Sequence, residues 1–351
     1  MQIDMHYYGT YCVARAAGLN RESARIIATA AQFVDDNAQQ NGIDLADASA
    51  CRVEATAHHT ADISNIDPDA QRQVWVPFHF LPGNEGRSFT ERLVCRKDSV
   101  IAQKMCQNHL EQTTKPYFLE LLGIMAHVYA DTFAHYGFSG VSSRHNQVVN
   151  DSFEFRDLDE QMEAYIVGKK DTFFARFTPF VRNIKSHLAE ELSGALGHGG
   201  VVTFPDRPYL KWRFDYDNGQ DSGWRDNPAT FLEYCQKLHS MLSELSEEYT
   251  DPEQKQDWSV LKDKIAEVLS YQGVGDARID KWKYEAQYGE LLNIAEDIPE
   301  YRDWNDGFEA LSHGGSAEAM EHPIYRYYQA ASYHRWYVLR ELLPQHGLVV
   351  S

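Results

Sequence analysis

The sequence predicts an all-α fold, a multi-helix bundle with a few short extended segments and long loops. Three observations carry this expectation. The run 116–137 keeps an apolar period of three to four residues over far more length than a strand needs, and it stops at Gly137, a helix-ending residue. Amphipathic runs of the same period return from residue 227 to the end. The most strand-like stretch, Gln73 to Phe80 (QVWVPFHF), is interrupted by Pro77, which suits an edge strand or extended segment better than a central strand. The whole chain, 1–351, is expected to form one mainly helical domain, with a chemistry-bearing portion at about 1–215 and a helical portion at about 225–351.

In order along the chain, 6–18 reads as a helix ended by Gly18. A second helix over 21–36 places Ile26, Ile27, Ala30 and Phe33 on one face and is capped by Asn20 or Ser23. Asp35 and Asp36 fall in its last turn, where acidic groups oppose the helix dipole at a cost of about 0.3–1 kcal/mol each unless a cation compensates. The stretch 42–60 lacks helical period and ends in His58-His59. Residue His79 precedes the turn Leu81-Pro82-Gly83, and Ser88-Phe89-Thr90-Glu91 fits a capping box, with helices from there to about 111. After the central helix, 141–155 is polar and loop-like, and helices follow over 158–196. The stretch 197–223 combines Gly, Pro, aromatics and charges in a loop too long to be a simple connection, which marks it as functional. Helices are then expected over 228–247, 257–270 and 325–343. The aromatic stripe at 325–337 reads as core or subunit packing. There is no internal repeat and no low-complexity tract.

Composition excludes some classes. With 20 Tyr, 17 Phe and 7 Trp, the chain can bury a substantial core. The net charge of −19 argues against general binding to a nucleic-acid backbone, although a local basic pocket could still accept a small phosphate ester. The start MQIDMHYYGTY lacks the basic-then-apolar pattern of a signal peptide, and no stretch is apolar enough to span a membrane. Five cysteines, odd in number and in no CxxC pattern, suit reduced core thiols. A cytoplasmic location is expected.

The chemistry concentrates in LLGIMAHVYADTFAHYGFSG, 121–140. There His127, Asp131 and His135 recur every four residues, so on a helix they share one stripe with neighbouring Cβ atoms about 5–6 Å apart. Between them Val128, Tyr129, Phe133 and Ala134 supply apolar packing, so the stripe faces the interior or a cleft. Two imidazoles flanking a carboxylate can hold one divalent metal, or two metals bridged by the aspartate. Further ligand-type residues stand at His6, Asp35 or Asp36, His79, His198 and Asp206.

Together these residues resemble the zinc-dependent phospholipase C and single-strand nuclease superfamily, whose all-α domain carries a cluster of three zinc ions. The resemblance rests on the spacing H-x3-D-x3-H in HVYADTFAHYGFSG, on the His-Tyr-Tyr start and on the helix end Val34-Asp35-Asp36, and it covers about 1–215. The last two features are closest to an uncharacterised bacterial family. The resemblance implies a bundle of the phospholipase C type holding two or three divalent ions, zinc above all. It makes His6, the Asp35 helix end and Pro77-Phe78-His79-Phe80 ligand-bearing segments, with His127 and Asp131 as paired ligands and Asp131 bridging two metals. His135 would open a third site, completed by His198 and Asp206. Secreted members of the superfamily use a free amino terminus as a ligand. Since this chain begins with Met1, that ligand is expected to be absent or replaced by Asp4, Asp36 or His59.

The function this implies is a metal-dependent hydrolase of a phosphate ester, with metals activating water, Asp131 as the catalytic bridging residue, and Arg144, Arg207 or Arg213 offsetting phosphate charge. A metal-stabilised helical interaction protein without catalysis is the alternative, and an open coordination position would separate the two. A phosphohydrolase built on adjacent His-Asp pairs is disfavoured because no His-Asp dipeptide occurs.

Overall fold

The computed structural model describes residues 1–58, 67–183 and 201–350 and is mainly helical. The longer helices are α1 (Thr10–Ala16), α2 (Arg21–Asp36), α3 (Val100–Leu110), α4 (Phe118–Ala134), α5 (Glu160–Asn183), α6 (Asn227–Leu242), α7 (Trp258–Ser270), α8 (Asp276–Gln287) and α9 (Pro323–Trp336). Two small antiparallel sheets accompany them. One is the hairpin β1 (Ile43–Asp44) and β2 (Ala50–Cys51). The other has the order β3 (Glu154–Arg156), β4 (Lys211–Arg213), β5 (Arg225–Asp226), with Phe155 opposite Trp212 and Trp212 opposite Arg225.

Helix α4 is the axis of the molecule. Every residue from Phe118 to Ala134 except Leu119 is buried, and α2, α3, α6 and α9 pack around it, α2 most extensively. The α2–α4 crossing is made close by small side chains. A Cβ added at Gly123 would lie 2.4 Å from the Ala30 Cβ and 2.5 Å from the Ile27 carbonyl oxygen, so only glycine admits this approach. That contact fixes the end of α2, with Asp35, beside the His127 turn of α4. The Asn20 side chain, rather than Ser23, caps α2 by accepting from the Ser23 amide at 2.8 Å.

Several expectations about elements change. The stretch Gln73–Phe80 is not extended: it belongs to a helical run over 68–78, with a π-helical turn Gln71–Trp75 followed by Val76–Phe78. Asp67 caps the run by accepting from the Asp69 and Ala70 amides, and Pro68 occupies the first turn. The alternation of Val74, Val76 and Phe78 looks strand-like because the run is buried on most of its faces. Within 197–223, the described part carries β4, so this stretch is partly sheet and partly loop. Strand β3 begins inside 141–155. Helix α8, with Trp282 fully buried, has no counterpart in the sequence reading. The capping box at Ser88 and Glu91 is present. The aromatic stripe at 325–337 buries Tyr327 and Tyr328 in the main core and exposes Trp336.

Two apolar cores result. The main one joins α1, α2, α4, α6, α7 and α9. The second gathers Phe80, Phe138, Phe153, Phe204, Tyr209, Trp212 and Phe214 over the three-stranded sheet. All five cysteines are free and buried. No helix among the described residues is long and apolar enough to cross a membrane.

Candidate metal centre

The seam between the two cores holds a polar cluster built from five segments. His6 comes from a π-helical turn, Asp4–Gly9, a widened turn of a kind often found at functional sites. Asp35 comes from the last turn of α2, His79 from the end of the 68–78 run, and His127 and Asp131 from α4, where His135 is the C-cap residue. Asp206 comes from the loop before β4. All but Asp35 are buried; the Asp35 side chain is 32% exposed and marks one way in from solvent.

The outer nitrogen of each of three imidazoles is tied to a backbone carbonyl. His127 Nδ1 lies 2.7 Å from the Ala31 oxygen, His79 Nε2 2.9 Å from the Thr56 oxygen, and His135 Nδ1 2.9 Å from the His79 oxygen. A carbonyl can only accept, so each of these nitrogens carries the hydrogen and donates it. In the neutral rings the inner nitrogens are then the lone-pair donors. His127 Nε2 and His79 Nδ1 stand 3.3 Å apart and each 3.2 Å from Asp131 Oδ2, while Asp35 Oδ1 is 3.8 Å from both. Asp35, His79 and His127 each offer one ligand atom, all within 4.8 Å of one another, and so do His6, His127 and Asp131. Tetrahedral zinc at about 2.0–2.1 Å from nitrogen and oxygen places its ligands about 3.3 Å from one another, the spacing of the His79 and His127 nitrogens and Asp131 Oδ2.

The other carboxylate oxygen of Asp131 faces a second group. The Met1 amino nitrogen donates to Asp131 Oδ1 at 2.9 Å, and His6 Nε2 lies 3.5 Å from the same oxygen and 3.8 Å from Asp35 Oδ2. Both His6 ring nitrogens are buried without a hydrogen-bond partner. An unsatisfied buried imidazole costs free energy that a cation would offset. At the far end, His135 Nε2 is 3.0 Å from Asp206 Oδ1, and the Met1 nitrogen is 3.4 Å from that oxygen. Asp131 thus divides its two oxygens between two donor sets, and His135 with Asp206 forms a third.

With protein groups alone, burial and the carboxylates pull the cluster in opposite directions. Burial, then His127 and the Met1 amine, push His6 down to about 3. Burial works against charge on the Met1 amine, yet Asp131, Asp206 and Asp35 raise it to about 11. Burial also opposes ionisation of Asp131, but His135, the Met1 amine and His127 hold its carboxyl well below the usual range. For His135, burial is outweighed by Asp131 and Asp206, which raise it. The Met1, Asp131 and His135 shifts are those of a carboxylate-rich pocket that attracts positive charge, whereas burial, His127 and the Met1 amine keep His6 neutral.

The structure therefore brings His6, Asp35, His79, His127, Asp131, His135 and Asp206 together. Asp36 is not with them. Its carboxylate accepts from the Tyr301 hydroxyl at 2.6 Å and from Gln32 at 3.2 Å, because the next residue on a helix points about 100° away. Those hydroxyl and amide donors, rather than a cation, offset its unfavourable place in the helix dipole. Asp4 is not in the cluster either, being held by Arg278 at 2.8 Å. The Met1 amine, rather than Asp4 or Asp36, lies beside Asp131 and Asp206. It carries no residue-type signal, which is why sequence reasoning passed over it. His198 and His59 lie outside the described residues. Of the arginines considered for phosphate, Arg144 is exposed and Arg213 is paired with Glu154 at 2.6 Å.

Comparison with known proteins adds a family but no activity. No curated protein and no solved structure matches the chain. One family does match, over residues 1–342, nearly the whole length, so the chain belongs to the family of unknown function DUF6765.

Proposed function

We propose that this chain is a metal-dependent hydrolase of phosphate esters, with a bundle of the zinc-dependent phospholipase C type holding two or three divalent ions. The observation that carries the reading is the sharing of Asp131: Oδ2 faces His79 and His127, while Oδ1 faces His6 and the Met1 amine. A bridging carboxylate between two nitrogen-rich donor sets is an economical way to hold two cations at short range. Imidazole, amine and carboxylate donors in tetrahedral spacing favour zinc among the common divalent metals.

The chemistry that such ions supply is a lowered pKa for bound water and stabilisation of the leaving oxygen. The chain's own groups hold and orient. The Ala31, Thr56 and His79 carbonyls each accept from one nitrogen of the three imidazoles, which orients the other nitrogen of each ring before any cation arrives. The surrounding core excludes water from the buried side. The partly exposed Asp35 side chain marks the approach from solvent.

A second reading has one observation in its favour. Asp35, His79 and His127 form a group of three protein donors with Asp131 Oδ2 beside its two imidazoles, a donor-rich set of the kind that closes around a structural ion. In that case the ion stabilises the fold of an interaction protein without catalysis. Metal analysis of the purified chain, followed by a panel of phosphomonoesters and phosphodiesters with and without a chelator, separates the readings. We expect at least two zinc equivalents and hydrolysis that the chelator abolishes. One tightly held ion without hydrolysis on any member of the panel favours the structural reading, and no bound ion removes both.

A further inference from the structure

One face of α9 carries two polar side chains into the apolar core, which is costly unless each is hydrogen-bonded. Tyr327 and His334 stand seven residues apart, two helical turns, so they share that face, and both are fully buried. Each is hydrogen-bonded, and each bond leads to His79.

His334 reaches the backbone just before that residue. The 68–78 run ends at Phe78, and the amides of His79 and Phe80 both turn back to the Trp75 carbonyl. The Pro77 carbonyl accepts from His334 Nε2 at 2.9 Å, and a carbonyl only accepts, so this nitrogen carries the hydrogen. Burial keeps the ring neutral by pushing it down to about 4. Its Nδ1 therefore accepts from His109 Nε2, which lies 2.8 Å away on α3. The Phe78 ring packs 5.0 Å from that of His334. Between them, α3 and α9 hold the end of the run from which His79 projects.

Tyr327 reaches the His79 ring through one intervening residue. Thr56 gives its hydroxyl hydrogen to the Val34 carbonyl at 2.9 Å, so the Tyr327 hydroxyl, also 2.9 Å from the Thr56 oxygen, donates to it. The Thr56 carbonyl in turn accepts from His79 Nε2 at 2.9 Å, and Val34 directly precedes Asp35. From one face, α9 thus holds His79 by its backbone and by its ring, and braces the helix end that carries Asp35.

We propose that Tyr327 and His334 are positioning residues of the candidate centre, which aim His79 Nδ1 at the cation without donating to it themselves. Groups that orient a metal ligand from outside are typically worth about tenfold to a hundredfold in metal affinity. The inference rests on the metal-centre reading and gives α9, beyond the 1–215 portion, a part in it.

The test measures zinc affinity of the full-length chain by competition with a chromophoric chelator, together with the cobalt(II) visible spectrum, which reports ligand geometry. His334→Phe keeps a ring but loses both hydrogen bonds. It is expected to weaken the tightest zinc site at least tenfold and to alter the cobalt spectrum. His334→Gln again offers one donor and one acceptor and is expected to restore affinity to within threefold of wild type. Tyr327→Phe removes only the hydroxyl and is expected to weaken the site at least threefold. Leu261→Ala, a truncation of a buried residue on α7, controls for lost stability and is expected to leave affinity and spectrum unchanged. Affinity within twofold of wild type in His334→Phe, no recovery in His334→Gln, or an equal loss in Leu261→Ala overturns the proposal. Should His334→Phe fail to fold, an unchanged affinity in Tyr327→Phe is equally fatal. The metal reading fails separately, because nitrogen-15 NMR of the histidine rings follows His79 in the metal-free chain. A wild type that binds no zinc, with His79 ring signals displaced in His334→Phe, loses the centre and keeps the positioning; unmoved signals lose both. Zinc bound as tightly by His334→Phe as by wild type keeps the centre and loses the positioning.

Discussion

At the scale of single residues, the centre is defined by which atom of each side chain is already engaged. His127 gives its Nδ1 hydrogen to Ala31 and so presents Nε2, whereas His79 gives its Nε2 hydrogen to Thr56 and presents Nδ1. Replacing either ring takes from the buried Asp131 Oδ2 one of the imidazoles beside it. His127→Ala is therefore expected to release metal and to cost about 3–5 kcal/mol, the range for stranding a buried charge without its partner. Elemental analysis and thermal melts in the presence of zinc would show it; full metal content with an unshifted Tm counts decisively against the centre. Substituting the two aspartates of α4 and the 201–210 loop should give different results. Asp131→Asn removes the shared carboxylate and is expected to lower the content by more than one ion. Asp206→Asn touches only the His135 end and is expected to lower it by one ion at most, while abolishing hydrolysis. Equal losses in the two variants would mean that Asp131 does not bridge.

At the scale of elements, the site depends on how closely α2 approaches α4. Gly123 is the point of contact, and Gly123→Ala would press a methyl group into Ala30 and the Ile27 carbonyl. Overpacking of this kind typically costs about 1–3 kcal/mol, and here it also moves Asp35 away from His127 and His79. We expect a lower Tm together with weaker zinc affinity, measured by competition with a chromophoric chelator. A loss of stability with unchanged affinity would show that the centre tolerates movement of α2. Much of this layout was legible in the sequence because α-helical spacing is rigid: once 116–137 is a helix, His127, Asp131 and His135 must share a face. The placement of His6, His79 and Asp206 was legible only through the family resemblance, since their convergence depends on tertiary packing that no local pattern encodes. The π-helical turns at Asp4–Gly9 and Gln71–Trp75 were illegible for a related reason. Each inserts an extra residue per turn, so the apolar period shifts and, around Trp75, imitates a strand.

At the scale of the whole molecule, the centre lies where a helical core meets a smaller aromatic core, with the Phe80 ring stacked 4.8 Å from His135 at the join. A second buried acid on the same axis, Glu120 in the first turn of α4, tests how deeply this interior is desolvated. Burial raises its carboxyl from 4.5 to about 7, with only a small opposing pull from Arg326. A raised folded-state pKa means that the native chain holds this proton when the unfolded chain has lost it. The stabilisation is complete below pH 4.5 and is lost as pH rises toward 7, at up to about 1.4 kcal/mol per pH unit and about 3 kcal/mol in total. Glu120→Gln keeps the neutral shape at every pH. Its stability relative to wild type is therefore expected to grow by that amount between pH 4.5 and 7.5 and then to level off. Urea denaturation of both chains across that range, at fixed salt and zinc, cancels the titration of all other groups. A difference that stays constant with pH would mean that water or a counter-charge reaches Glu120, and that the core around α4 is more open than its packing indicates.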